Sequence, residues 1–270
     1  MPATKASGWE IAYDTIGDRG APPIVMVLGL SHRRPHWGRL PALLAERLFV
    51  VTFDCRNIGE SERRDEPYTI ADETRDVAAV MDAAGLEAAA IYGRSRGGMI
   101  AQEFAIGQPA RTAALILSGT SHRGPGSVGE APHVARAMRI EPGMGREDIF
   151  ASQNVAMASP GWREREPAAF AYCLSVDLEA PPRRFAVERQ REALTGWSSF
   201  DRLGQIAAPT LVLCGEDDPM VPPENSRSLA AKIPGAKLVL IPQCGHLPML
   251  EQPEAVRDAV FTFLGSQASG

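Results

Sequence analysis

Short apolar runs separated by amphipathic stretches organise most of the chain. The runs Ile24 to Leu28, Phe49 to Phe53, Ala88 to Tyr92 and Ala113 to Leu117 are too short for buried helices, and turn-forming residues bound them. They read as strands buried on both faces. Trp9 to Ile16 reads as an earlier strand, followed by a turn over Gly17 to Pro23, and Leu40 to Leu48 has helical spacing. A second helix is signalled from Thr69, which pairs with Asp72 as a cap; Val77, Val80, Met81 and Ala84 recur at helical spacing and Gly85 stops it. Strands alternating with helices at this spacing predict right-handed crossovers and a mostly parallel sheet.

The alternation breaks between His122 and about Phe200. No strand pattern is found there, and Pro and Gly cut the segment into helical pieces such as Glu147 to Val155 and Pro167 to Leu174. From Pro209 it resumes, with strands at Thr210 to Cys214 and Lys237 to Ile241 and helices at Glu224 to Ile233 and Pro253 to Leu264. The pattern predicts an α/β core from residues 1–121 and 201–270, with residues 122–200 as a helical cap inserted after the sixth strand.

Composition narrows the function. A formal charge of -5 offers no basic field to nucleic acid. No apolar run is long enough to span a bilayer, and Met1 to Gly8 carries no signal-like apolar core, so a cytoplasmic protein with no membrane partner is expected. The four cysteines (Cys55, Cys173, Cys214, Cys244) form no C-x-x-C pair, and neither a metal nor another cofactor is expected. A homo-oligomer is left open.

The stretch Gly93-Arg94-Ser95-Arg96-Gly97-Gly98 lies between a strand and a helix carrying Met99, Ile100 and Phe104. A serine at the apex of such a turn has a strained backbone, an exposed hydroxyl at the strand's carboxyl end and an N–H beside a helix N-terminus. The same edge of a parallel sheet receives the ends of the later strands, where ligands bind. Gly215-Glu216-Asp217-Asp218 follows one and Gly245-His246 follows another. Serine, acid and histidine thus occur in the order of the triad that the α/β-hydrolase scaffold uses. A dinucleotide site is disfavoured, because the turn has neither G-x-G-x-x-G spacing nor a P-loop lysine.

On these motifs the chain resembles the α/β-hydrolase family from Trp9 to Leu264, with the insertion where the family carries its lid. The resemblance implies Ser95 as nucleophile, His246 as general base and Asp218 as the residue orienting it. Asp218 is preferred to Asp217 because the family's spacing puts the acid three after a Gly and four before a Pro, which matches Gly215 and Pro222. By the same resemblance the backbone N–H groups of Leu30 and Arg96 form the oxyanion hole, although Leu28-Gly29 replaces the usual His-Gly. Glu166-Pro167-Ala168, Ala208-Pro209-Thr210 and Glu251-Gln252-Pro253-Glu254 are similar to the 3-oxoadipate enol-lactonase group, and Asp54-Cys55-Arg56-Asn57 with Ile58-Gly59 to polyketide methyl esterases. The implied substrate is a small ester or lactone.

Arg94 and Arg96 depart from the family pattern. Either they form local ion pairs with nearby carboxylates such as Glu60 or Glu103, or one of them binds a substrate carboxylate or polarised carbonyl. His32 and His122 follow strands on the active edge and are candidate pocket residues; His36 and His133 have weaker claims. Two other functions compete with hydrolysis: elimination by a Ser-His base on the same scaffold, and ligand binding with a relic triad.

Overall fold

The computed structural model describes residues 2–140 and 143–267. Eight strands form one sheet: β1 (Ala3–Ala6), β2 (Trp9–Ile16), β3 (Pro23–Val27), β4 (Phe49–Phe53), β5 (Ala89–Arg94), β6 (Thr112–Ser118), β7 (Thr210–Gly215) and β8 (Lys237–Ile241). Their order is β1-β2-β4-β3-β5-β6-β7-β8; the β1–β2 and β2–β4 pairs are antiparallel and the other pairs parallel, so β2 alone runs against the rest. The fold is therefore the mostly parallel, helix-flanked sheet that the sequence pattern predicts.

The buried strands feed two cores by simple alternation. Val25, Val27, Ile91 and Leu117 face one side, against α2 (Ile70–Ala84), α3 (Arg96–Gly107) and α9 (Pro223–Lys232). Ile24, Met26, Tyr92 and Ile116 face the other, against α1 (Leu40–Leu44) and α11 (Pro253–Gln267). The Thr69–Asp72 capping box and the left-handed Gly85 bound α2 where the sequence places them.

Two differences have local causes. β1 has no strand signature, since Ala3-Thr4-Lys5-Ala6 is a mostly exposed edge that becomes strand only by pairing with β2. The helix expected over Leu40 to Leu48 ends at Leu44, and the remaining residues continue as tighter turns, with Arg47 N–H donating to Leu44 C=O at 3.2 Å.

Between β6 and β7 the described residues form α4 (Pro132–Ala137), α5 (Arg146–Met157), α6 (Trp162–Arg165), α7 (Pro167–Glu179) and α8 (Arg184–Glu192). Trp162 and Phe170 meet edge to face at 5.7 Å and join the core that includes α11. These aromatics pack the helices between β6 and β7 against the sheet rather than lining an open pocket.

Candidate active site

Ser95 occupies the turn between β5 and α3 with φ 52° and ψ -122°, a left-handed backbone that is unfavourable for a residue with a Cβ. Three hydrogen bonds hold it there. Its N–H donates to Ser118 C=O at 2.8 Å, and its own C=O accepts from Thr120 Oγ1 at 2.7 Å and Gly98 N–H at 2.9 Å. A Cβ at Gly93 would strike Gly97 backbone, and one at Gly97 would strike the carbonyls of Val27 and Leu28. Both glycines are thus demanded by close approach of α3 to the ends of β3 and β5.

The end of β7 delivers Asp218 and the loop after β8 delivers His246. Asp218 Oδ1 accepts from the N–H groups of Met220 (2.9 Å) and Val221 (2.8 Å), leaving Oδ2 at 2.8 Å from His246 Nδ1. His246 Nε2 lies 3.2 Å from Ser95 Oγ. With Nδ1–H donating to the carboxylate, the Nε2 lone pair faces the serine hydroxyl. Asp218 and His246 are buried, whereas Ser95 is partly exposed and Glu216 and Asp217 are exposed. Of the two adjacent acids, Asp218 is the one that is buried and in contact with His246.

Gly29 runs against Ser95, since a Cβ there would lie 3.0 Å from Ser95 Cβ. The next residue, Leu30, and the first helical residue, Arg96, have backbone N–H groups without a protein acceptor among the described residues. Two unpaired donors beside a serine and a histidine are what an acyl-transfer oxyanion requires.

The arginines divide. Arg96 is buried and its guanidinium is fully engaged: Nη1 donates to Glu73 Oε1 at 3.0 Å, Nη2 to Glu73 Oε2, and Nε to the backbone carbonyl of Gln190 at 3.1 Å. It is not a substrate-binding residue through its guanidinium, and its partner is Glu73 on α2 rather than Glu60 or Glu103. Glu103 is instead taken by Arg202 and Trp197. Burial pushes the Glu73 carboxyl up, against the pull of Arg96.

Arg94 is also buried but has no carboxylate partner among the described residues. Nη2 donates to His246 C=O at 2.6 Å, Nη1 donates to His32 Nδ1 at 2.9 Å, and Nε is unpaired. Burial lowers its pKa to about 10, leaving it cationic at neutral pH. The His32 ring is partly exposed beside Ser95's loop and stacks on His36 at 4.3 Å; burial and the neighbouring His36, Arg94 and His246 hold it well below the ordinary histidine range.

His122 does not line the site. Its Nε2 lies 2.9 Å from Ser228 Oγ on α9, its Nδ1 accepts from Gly124 N–H, and its ring meets Phe200 edge to face. It follows β6 as expected, but the backbone turns it toward α9, where it fastens the start of the insertion.

Sequence reasoning missed three supports. Glu251 accepts from the N–H groups of Ser159 (2.9 Å), Gly245 (3.0 Å) and Leu247 (3.1 Å), clamping the His246 loop to the insertion. Gln190 reaches Ser31 from α8. Arg56, within the Asp54-Cys55-Arg56-Asn57 motif, pairs through two bonds (2.5 and 2.7 Å) with Asp76 on α2, so this part of the motif secures a loop. Cys244 is fully buried and burial pushes its thiol up, in keeping with a packing role.

Sheet, elbow and hydrolase-type arrangement of polar groups together define a class, the hydrolytic enzymes built on a doubly flanked parallel sheet. Residues 24–259 match the alpha/beta hydrolase family, and the protein belongs to it. It is 26% identical to the proposed carbamate hydrolase RutD of Azorhizobium caulinodans, over 98% of each sequence. Its fold is similar to an enol-lactonase from Burkholderia xenovorans LB400 (TM-score 0.84, 26% identity, 98% of this protein and 100% of that one). It is also similar to a thermophilic esterase from Thermogutta terrifontis in malate-bound form (TM-score 0.82, 28% identity, 98% of each). The protein is a hydrolase; no helix of the described residues is long and apolar enough to cross a membrane.

Proposed function

We propose that the protein is a serine hydrolase that cleaves the ester or lactone bond of a small organic acid. The observation that carries this reading is the continuous relay from Ser95 Oγ through His246 to Asp218, at 3.2 and 2.8 Å. Ser95 Oγ attacks the acyl carbonyl as its proton passes to His246 Nε2, and Asp218 stabilises the imidazolium. The N–H groups of Leu30 and Arg96 receive the oxyanion. Collapse of the tetrahedral species breaks the C–O bond, His246 returns the proton to the leaving alkoxide, and water repeats the sequence to release the acid and free Ser95.

Acidic substrates are favoured by Arg94, a buried guanidinium with an unpaired Nε and no carboxylate of its own at hydrogen-bond distance among the described residues. A substrate carboxylate near His32 would supply the missing anion. The similarity to an enol-lactonase and to an esterase with malate bound supports an ester or lactone substrate that carries a carboxylate.

The test is product analysis with small lactones and half-esters of dicarboxylic acids. Release of acid and alcohol in equal amounts (a single hydroxy acid from a lactone) supports the reading. An unsaturated product would assign the Ser-His pair to elimination, and binding without turnover would make it a ligand receptor.

A further inference from the structure

Gln190 lies on α8 in the insertion, yet it touches both sides of the candidate oxyanion hole. Its amide Oε1 accepts from Ser31 N–H at 2.8 Å, directly after Leu30. Its backbone carbonyl accepts from Arg96 Nε at 3.1 Å, and Arg96 follows Ser95. Gln190 itself is fully buried; its bond to Arg96 is buried and its bond to Ser31 partly so. The orientation of the amide is fixed by chemistry, because a backbone N–H can only donate and the atom facing it must be the oxygen.

The loop that receives this bond needs it. Ser31 has φ 65°, a left-handed conformation without the freedom of glycine. The adjoining Gly29 is pressed against Ser95, and Leu30 between them presents its N–H without a protein acceptor among the described residues. On the other side of the hole, Arg96 is pinned by Glu73 from α2 as well as by Gln190. Leu30 has no comparable anchor of its own among the described residues, and the Gln190 amide supplies one at its neighbour.

We propose that Gln190 is a positioning residue for hydrolysis: its amide oxygen, by holding Ser31 N–H, aims the Leu30 N–H at the oxyanion. The insertion thereby completes the catalytic geometry of the core, and α8 acts on the chemistry as well as covering it. The inference rests on Ser95 as nucleophile and on the hole at Leu30 and Arg96. The Arg96 contact uses the backbone of residue 190, so it survives replacement of the amide and preserves the docking of α8.

Three variants separate this role from packing. Gln190→Met keeps the volume and removes the acceptor. Gln190→Asn keeps an amide but withdraws it by one methylene. Gln190→Glu keeps an acceptor oxygen at full length, whether or not the carboxyl is protonated. Turnover of 4-nitrophenyl acetate is measured with wild type alongside, and the affinities of phenylboronic acid, whose serine adduct places an oxygen in the hole, and of acetate are measured for each protein. Loss of a whole oxyanion donor lowers kcat by about 10²–10³, so loss of its aim in Gln190→Met and Gln190→Asn is expected to lower kcat by about 10- to 100-fold, with KM little changed. Boronate affinity should fall by the same factor while acetate affinity holds, and Gln190→Glu should recover most of kcat.

Equal kcat in wild type and Gln190→Met, or equal losses of boronate and acetate affinity, would overturn the positioning role while leaving the hydrolase reading intact. If Gln190→Met does not fold, a Gln190→Asn variant with wild-type kcat overturns the role on its own. A wild type that turns over no ester and forms no boronate adduct would overturn the hydrolase reading and this inference with it.

Discussion

Arg94 donates to the backbone carbonyl of His246 at 2.6 Å, so the residue before Ser95 supports the histidine whose ring faces the serine hydroxyl. The same guanidinium donates to His32 Nδ1. Because arginine only donates, this fixes the neutral His32 tautomer with its proton on Nε2. Arg94 thus combines support of the His246 backbone with a buried charge that no carboxylate among the described residues meets at hydrogen-bond distance.

The two roles separate by substrate. Arg94→Leu is expected to lower kcat/KM about tenfold on neutral esters, through a loosened His246 loop, and at least about 100-fold on half-esters of dicarboxylic acids, through loss of a charge-assisted contact. Arg94→Lys, which keeps the charge without the fork, should fall between wild type and Arg94→Leu on the acidic series. Steady-state kinetics on matched acidic and neutral esters decide the matter, and equal losses on both would rule out the acidic substrate.

Glu251 holds the same loop from the other side. Gln at this position offers one acceptor oxygen in place of two, leaving at least one of the buried N–H groups of Ser159, Gly245 and Leu247 without its partner. Glu251→Gln is expected to lose about 1–3 kcal/mol of stability in urea denaturation and to lower kcat more than it raises KM. Unchanged stability would show that these three bonds do not secure the loop.

His32 gives a pH signature. Its pKa in the folded protein lies well below the ordinary 6.5, with burial as the largest cause. Below pH 6.5 the unfolded protein takes up a proton at this position that the folded protein refuses, so stability falls as pH falls, down to the folded value. The loss is up to about 1.4 kcal/mol per pH unit within that window. Urea denaturation at pH 7.5 and pH 5.5 should therefore show a smaller loss for His32→Asn than for wild type. Equal losses would mean that His32 titrates normally.

How much of the fold and site is legible in the sequence depends on whether the signal is local. Ser95 and His246 are marked by their own neighbours, a Gly-bounded turn after a strand and a Gly-His step after another, and both fall on the predicted edge. Asp218 needs only a choice between adjacent acids, which burial supports. The partner of Arg96 is not legible: Glu73 belongs to another helix, and only the packing of α2 on α3 brings the two together. His122 shows the reverse limit, because following an active-edge strand does not determine which way the backbone then turns. Gln190 and Glu251 carry no motif, and their importance lies in backbone groups of remote loops whose placement depends on the folded insertion.

The most direct test is rapid-quench mass spectrometry of wild type and Ser95→Ala during turnover of a 4-nitrophenyl ester. A Ser95 nucleophile predicts a wild-type mass increase equal to the acyl group, mapped to the peptide containing Ser95. In Ser95→Ala it predicts no adduct and a kcat lower by at least about 10⁴-fold. Turnover at the wild-type rate in Ser95→Ala, or an acyl group mapped to another residue, would contradict it.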